Sequence, residues 1–258
     1  MQPGDISCGD VEALWVAVAG VGLRSTVEPS VRLAPAADSF EVDAALERTV
    51  TQAAAQAVGR EVWRRAFDIV GAALLLVLTA PLSAVVALVL LLAGNRRVMF
   101  WQQRVGAGGR SFWFPKFTSM QNGAYALHRH MLARSDYRDS VTFKMRHDPR
   151  ITRIGRVIRA LSIDELPQLW TVLRGDMSLV GPRPPLPSEV ARYTAVQRRR
   201  LEVKPGLTCL WQVCGRSLLP FDRQVVLDIE YIDNQSIWLD LKIVLRTIPA
   251  VLSCRGAF

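Results

Sequence analysis

Cysteine, histidine and lysine are all scarce in this 258-residue chain. The four cysteines, Cys8, Cys209, Cys214 and Cys254, show no zinc-type pairing. Four scattered thiols in a chain of this length fit a reducing compartment rather than a disulfide scaffold. His128 and His130 stand two apart, off any shared helix face, which argues against a metal pair. No Lys-Ser/Thr follows the cluster Gly106-Ala107-Gly108-Gly109, so it is not a nucleotide phosphate loop and reads as a hairpin turn. The apolar stretch Leu14 to Leu23 follows Asp5, Asp10 and Glu12 and lacks the basic start of a signal peptide.

Apolar residues and arginine are abundant. Half of the chain is hydrophobic, which excludes intrinsic disorder, while 21% charged residues is too many for a polytopic transporter. The net charge is +9, and lysine supplies only 4 of the 32 basic residues, leaving 28 arginines. An arginine excess points to anionic partners: phosphates, nucleic acid or an acidic membrane face. Nothing in the pattern matches a nucleic-acid-binding fold, so nucleic acid is not expected.

Residues 1–40 read as a weakly structured arm. From Glu41 to Arg65 an Ala-rich stretch has helical spacing. Ile69 to Ala93 then runs for 25 residues without a charge. About 20 apolar residues cross a hydrocarbon core, so this is a membrane-helix candidate. Pro81 interrupts it and would kink or break a helix. Basic residues flank both sides: Arg60, Arg64 and Arg65 before, Arg96 and Arg97 after. One crossing cannot keep both flanks cytoplasmic, whereas a helix that enters, bends at Pro81 and returns can. Each leg would reach about 18–20 Å, roughly one leaflet. An ordinary kinked crossing is the other reading. The chain thus divides into the arm (1–40), a helix leading into a membrane hairpin (41–95) and a cytoplasmic domain (96–258).

Beyond Arg97 the pattern turns to mixed α/β. Val98 to Val105 and Ser111 to Phe117 read as strands, and 122–147 as polar and irregular. Arg150 to Leu161 is a basic amphipathic helix, and Trp238 to Leu252 closes the chain with Trp238, Leu241, Leu245 and Ile248 on one face. Either helix suits a core position or an anionic membrane surface. In Ser162-Ile163-Asp164-Glu165-Leu166-Pro167, the proline belongs in a first helical turn, so a helix should start near Asp164. Its carboxylates would then serve as plain caps or as functional groups. Gly181-Pro182-Arg183-Pro184 pins an arginine between prolines, which suits bidentate phosphate binding, and Lys204-Pro205-Gly206 is a second rigid turn. Adjacent carboxylates near fixed cations suit Mg²⁺-assisted phosphoryl chemistry.

The ordered motifs Gln103-Arg104-Val105-Gly106, Lys116 to Met120, Asp148 to Thr152, Ser162 to Leu169, Leu179 to Pro184 and Pro205-Gly206-Leu207-Thr208 through Trp211-Gln212 resemble the bacterial sugar transferases. These are monotopic phosphoglycosyl transferases. The resemblance covers about residues 60–255 and is to the compact members that act as undecaprenyl-phosphate galactose or hexose phosphotransferases in exopolysaccharide synthesis. It implies a small mixed α/β catalytic domain with an N-terminal re-entrant membrane helix hairpin, broken at Pro81, and amphipathic surface helices. It implies an enzyme that moves a hexose-1-phosphate, galactose or glucose, from a UDP-sugar to polyprenyl phosphate and releases UMP. Asp164 would be the nucleophile that carries the phosphosugar. Glu165 would handle metal or protons, with Mg²⁺ at the Asp164–Glu165 pair. Lys116 and Arg159 would lie near the phosphates, and Arg183 with Pro182 and Pro184 at the nucleotide end. The implied partners are UDP-sugar, polyprenyl phosphate and membrane lipid, with a homo-oligomer left open. The implied location is the cytoplasmic face of a bacterial inner membrane. Two positions depart from the family pattern: Thr118 replaces the arginine of Lys-Phe-Arg-Ser-Met, and Ala80-Pro81 replaces Ser-Pro. Thr118 is the sole support for the alternative, a catalytically idle scaffold in a polysaccharide assembly complex.

Overall fold

A computed structural model describes residues 39–95, 97–121, 123–124, 141–142, 145, 148–254 and 256, with side chains from Gly59 onward except Arg60. The expected arm over 1–40 lies outside the described residues apart from its last two. So do His128 and His130 and most of 122–147. The chain separates into two units, Met1–Trp63 and Arg64–Phe258. The described part of the first is helical.

Helix α1 (Ser39–Leu92) is assigned without interruption through Pro81. Proline at 81 has no N–H to donate to the preceding turn. One residue pair upstream, the Thr79 hydroxyl donates to Leu75 O at 2.6 Å. The sequence predicts a break at Pro81; here α1 is one element. The stretch Glu61–Leu92 is long and apolar enough to enter a membrane, and little of it is buried in the protein.

Strands β1 (Met99–Val105) and β2 (Ser111–Phe117) form the expected antiparallel hairpin, with Met99 opposite Phe117 and Val105 opposite Ser111. Because side chains alternate, Phe100, Gln102 and Arg104 share a face with Phe112, Phe114 and Lys116. Among the described residues, seven further helices follow α1. Helix α2 (Arg153–Ala160) is capped by Thr152, whose hydroxyl accepts from Gly155 N at 2.8 Å. A 3₁₀ segment (Ile163–Gln168) leads into α3 (Leu169–Arg174). Strand β3 (Ser178–Val180) pairs in parallel with β4 (Gly206–Thr208), and the short helices α4 (Pro187–Val190) and α5 (Ala195–Arg198) lie between them in sequence. The chain closes with α6 (Leu210–Cys214), α7 (Phe221–Asp233) and α8 (Ile237–Leu252).

The main core gathers Phe114, Leu169, Val172, Met177, Leu179, Leu210, Trp211, Leu227, Tyr231 and Ile243, with Ala72 of α1 inserted among them. A second cluster joins Val86 and Leu90 of α1 to Phe117 and Ile158. Two stretches of α1 therefore pack on the rest of the Arg64–Phe258 unit, while Val77 between them is 73% exposed. Three groups fasten the base of α1. Arg64 reaches Asp240, Gln235 and Tyr231, Arg65 donates to Val172 O and Leu173 O at the end of α3, and Asp68 accepts from Ser178 and Leu179 N.

Helix α8 leaves Trp238, Leu241, Leu245, Ile248 and Leu252 exposed along one stripe, while Asp240 and Ile243 face inward. The exposed stripe fits the surface reading better than the core reading. In α2, Ile158 is buried and Val157 is exposed, so that helix serves the core on one side only.

Candidate active site

Four elements converge on Asp164 and Glu165. The Pro167-containing segment forms a 3₁₀ turn in place of the expected α-helical start, and the regular helix begins only at Leu169. Ser162 enters that turn in a left-handed conformation, at φ 54°. Backbone strain of this kind holds only where the surroundings over-determine it. Its hydroxyl accepts from Arg216 Nη2 at 3.3 Å.

The two carboxylates are held differently. Glu165 Oε1 accepts from Lys116 Nζ at 2.8 Å and from Arg183 Nη2 at 2.9 Å. Burial pushes its carboxyl up, but Arg183 and Lys116 outweigh burial and hold it well below the usual range. Asp164 is buried, and its one ion pair among the described residues is a looser contact, 3.6 Å from Oδ2 to Lys116 Nζ. Burial raises its pKa, Lys116 pulls against that, and the neighbouring Glu165 charge raises it further. The result is one carboxylate clamped by two cations beside a second that, among the described residues, has a single, longer ion pair.

Lys116 comes from β2 and stands 5.4 Å from the Phe114 ring centroid. Arg183 comes from the turn after β3, where it lies between the buried Pro182 and Pro184. Gly181 N donates to Thr208 O and Gly206 N to Pro182 O, which fixes the turn to β4. A side chain at Gly206 would meet Gly181 N at 2.0 Å, so the two backbones need both glycines. The rigid turn expected at Lys204-Pro205-Gly206 is thus the entry to a strand.

Arg159 lies at the end of α2 and donates from Nε to Ser119 Oγ at 2.8 Å. Gly155 permits this, since a Cβ there would meet Ser119 O at 1.9 Å. Desolvation lowers the Arg159 pKa, and the Asp164 and Asp148 charges raise it, which places the cation beside the nucleophile candidate. The structure therefore brings together Asp164, Glu165, Lys116, Arg159 and Arg183 with Pro182 and Pro184. Sequence reasoning missed Arg216. It adopts φ 52°, carries the charge influence of Glu165 and Arg183, and keeps a buried Nη1 without a hydrogen-bond partner among the described residues. Its one local signal is the preceding Gly215.

The described residues hold no cluster of three or more His, Cys, Asp or Glu. Two adjacent carboxylates are a fitting donor set for Mg²⁺, which takes one or two carboxylates and completes its shell with substrate phosphates and water. The residues that would hold it are Asp164 and Glu165. The charge count favours an anionic ligand: Lys116, Arg159, Arg183 and Arg216 surround two carboxylates.

Comparison with known proteins identifies the family. Residues 59–254 match the family model for bacterial sugar transferase. The galactosyl transferase CpsE of Streptococcus agalactiae serotype III is 49% identical over 160 residues, which cover 62% of this chain and 35% of that protein. The UDP-glucose:undecaprenyl-phosphate glucose-1-phosphate transferase of Caulobacter vibrioides is 42% identical over 203 residues, 76% of this chain and 72% of its own. The exopolysaccharide production protein ExoY of Rhizobium meliloti is 38% identical over 198 residues, 76% of this chain and 88% of its own. The chain spans only about a third of the streptococcal relative.

Proposed function

This chain belongs to the bacterial sugar transferase family, and from that premise we propose that it moves a hexose-1-phosphate from a UDP-sugar to polyprenyl phosphate at a membrane surface. The observation that carries the reading is the asymmetric pair, Glu165 clamped by two cations and Asp164 with one ion pair among the described residues, at 3.6 Å. A carboxylate oxygen of Asp164 attacks the sugar-bearing phosphorus, the bond from that phosphorus to the bridging oxygen breaks, and UMP leaves with the bond's electron pair. A phosphate oxygen of the polyprenyl acceptor then attacks the same phosphorus and returns Asp164 as a carboxylate. Splitting the transfer lets a water-soluble donor and a lipid acceptor use one site in turn. Lys116, Arg159 and Arg183 supply fixed positive charge where the diphosphate gathers negative charge. Mg²⁺ bound at Asp164 and Glu165 would supply further neutralisation of the diphosphate. Relatives are named for galactose and for glucose, which supports a hexose.

Three features support placement at a cytoplasmic membrane face. Glu61–Leu92 is apolar and largely uncovered, α8 exposes an apolar stripe with Lys242 and Arg246 beside it, and basic residues flank the apolar run. The packing of Ala72 and of Leu90 on one catalytic unit favours a re-entrant path. A straight crossing would separate those residues by about 27 Å of depth. The carboxylate pair with Lys116 and Arg183 on Glu165 supports the enzyme reading over an idle scaffold.

The test is UMP release from a panel of UDP-sugars with Mg²⁺, with and without polyprenyl phosphate. Wild-type protein should gain the mass of one phosphosugar on the peptide carrying Asp164 when lipid is withheld. Asp164→Asn should keep its fold and membrane association and lose turnover. Turnover by that variant, or label on another residue, would overturn the assignment.

A further inference from the structure

Arg104 lies on the same hairpin face as Lys116 but touches neither Asp164 nor Glu165 through any hydrogen bond or ion pair among the described residues. Its Nη1 donates to Pro184 O at 3.0 Å and its Nη2 to Gln102 Oε1 at 2.9 Å. Its guanidinium carbon stands 5.3 Å from the Phe114 ring centroid, the same ring that Lys116 approaches. The next residue, Val105, donates its N–H to Pro185 O at 2.9 Å. The end of β1 therefore grips the far side of the Pro182–Pro185 turn, while Gly206 holds the near side at Pro182.

Proline at 184 has no N–H, so its carbonyl is the one backbone hydrogen-bonding group this residue offers. Arg104 takes it. Burial lowers the Arg104 pKa to about 10, with Arg183 second, so the side chain stays charged at neutral pH beside a like charge. Arg183 itself donates from Nη2 to Glu165 Oε1 at 2.9 Å. Phe114, buried and packed against Phe112 edge-on, gives Arg104 a fixed floor.

Building on the transferase reading, we propose that Arg104 is a positioning residue that aims Arg183 at the Asp164–Glu165 pair, acting through the Pro184 carbonyl and the Phe114 ring. A lysine cannot reproduce the role, because it has no flat face to lie on the ring and no fork to hold Pro184 and Gln102 together.

A double-mutant cycle of Arg104→Met and Arg183→Gln tests this, read as kcat and KM for the UDP-sugar. Misplacing a substrate-positioning group by about 1 Å costs on the order of 100-fold in rate. Arg104→Met should therefore lose on the order of 10- to 100-fold in kcat/KM, with Arg104→Lys intermediate. The double variant should be no worse than Arg183→Gln alone, since the brace has nothing left to aim. Losses that multiply in the double variant would overturn the proposal. A second readout is independent of activity: phenylglyoxal labelling of Arg183, followed by mass spectrometry, with the buried Arg200 as the folding control. Labelling of Arg183 should rise in Arg104→Met while Arg200 stays protected. An unchanged Arg183 rate would refute the brace. A wild type that releases no UMP from any UDP-sugar would refute the transferase reading instead, and the labelling would still decide the brace.

Discussion

Replacing Arg64 by Met should loosen the base of α1 from the catalytic unit, and the size of the effect follows from four contacts. Arg64 Nε lies 3.1 Å from Asp240 Oδ2, Nη1 donates to Gln235 Oε1 at 2.8 Å, and Nη2 donates to the Tyr231 hydroxyl at 2.7 Å, with Val180 O at 3.4 Å. The Tyr231 hydroxyl in turn donates to Asp240 Oδ1 at 2.7 Å. Asp240 is 2% exposed, so the substitution strands a buried carboxylate. Removing one partner of a buried pair costs about 3–5 kcal/mol. Arg64 itself is 22% exposed, so water relieves part of this, and about 3 kcal/mol is expected. For a domain of roughly this size that is about 6–12 °C in Tm, measured in detergent. The loss should depend on pH. Burial raises the Asp240 pKa and Arg64 lowers it, so without Arg64 it rises further. A carboxyl whose folded pKa is raised stabilises the fold when protonated and loses that contribution as pH rises through the folded value. The penalty of Arg64→Met should accordingly be smallest in acid and grow towards neutral pH. The double variant with Asp240→Asn should recover much of the loss, because no charge is left unpaired. A Tm shift under about 2 °C at neutral pH, or one that shrinks as pH rises, would refute this account of the clamp.

Three other outcomes can be checked. Gly206→Ala should cost upwards of about 3 kcal/mol, because its Cβ would press on Gly181 N, Gly181 O and Thr208 O, all backbone atoms; wild-type melting would deny the close approach. Arg183→Lys should lose at least about tenfold in activity, near 1.4 kcal/mol, since a lysine cannot present the guanidinium fork to Glu165 and phosphate; unchanged kinetics would reduce the Pro-Arg-Pro turn to a structural element. In a background lacking the four native cysteines, thiols placed at 60 and at 97 should both resist a membrane-impermeant reagent added from the periplasmic side, and Pro81→Leu should shift the helix towards a full crossing. Labelling at 60 in the Pro81 protein would mean that the run already crosses.

Local features were legible in the residues themselves. The β1–β2 hairpin follows from alternation around a glycine turn, and α8 from apolar positions three and four apart, both set by neighbours within a turn or a rung. The apolar run from Ile69 marked a helix long and apolar enough to cross a membrane, and the ordered motifs marked the family. The amphipathic pattern of α8 left open whether its stripe is covered; only the packing of Asp240 and Ile243 decided which side faces in. Likewise, Pro167 marked the start of a helical turn, but the fold makes that turn 3₁₀, with Asp164 and Gln168 buried.

Tertiary structure alone decided the chemistry of the pair. Asp164 and Glu165 are adjacent and alike in sequence, and what separates them is that Lys116 and Arg183 both reach Glu165. Arg64, Arg104 and Arg216 find partners 176, 80 and 54 residues away, distances over which side-chain periodicity carries no information. The 28 arginines look interchangeable in a composition. A hydrogen bond, however, requires a donor and acceptor within about 3 Å and aligned, and only the folded backbone sets that geometry. The sequence by itself therefore determined the β1–β2 hairpin, the closing helix, the long apolar run and the residue types of the site. The fold decided which arginine reaches Pro184, which one reaches Asp240 and which carboxylate is clamped by two cations.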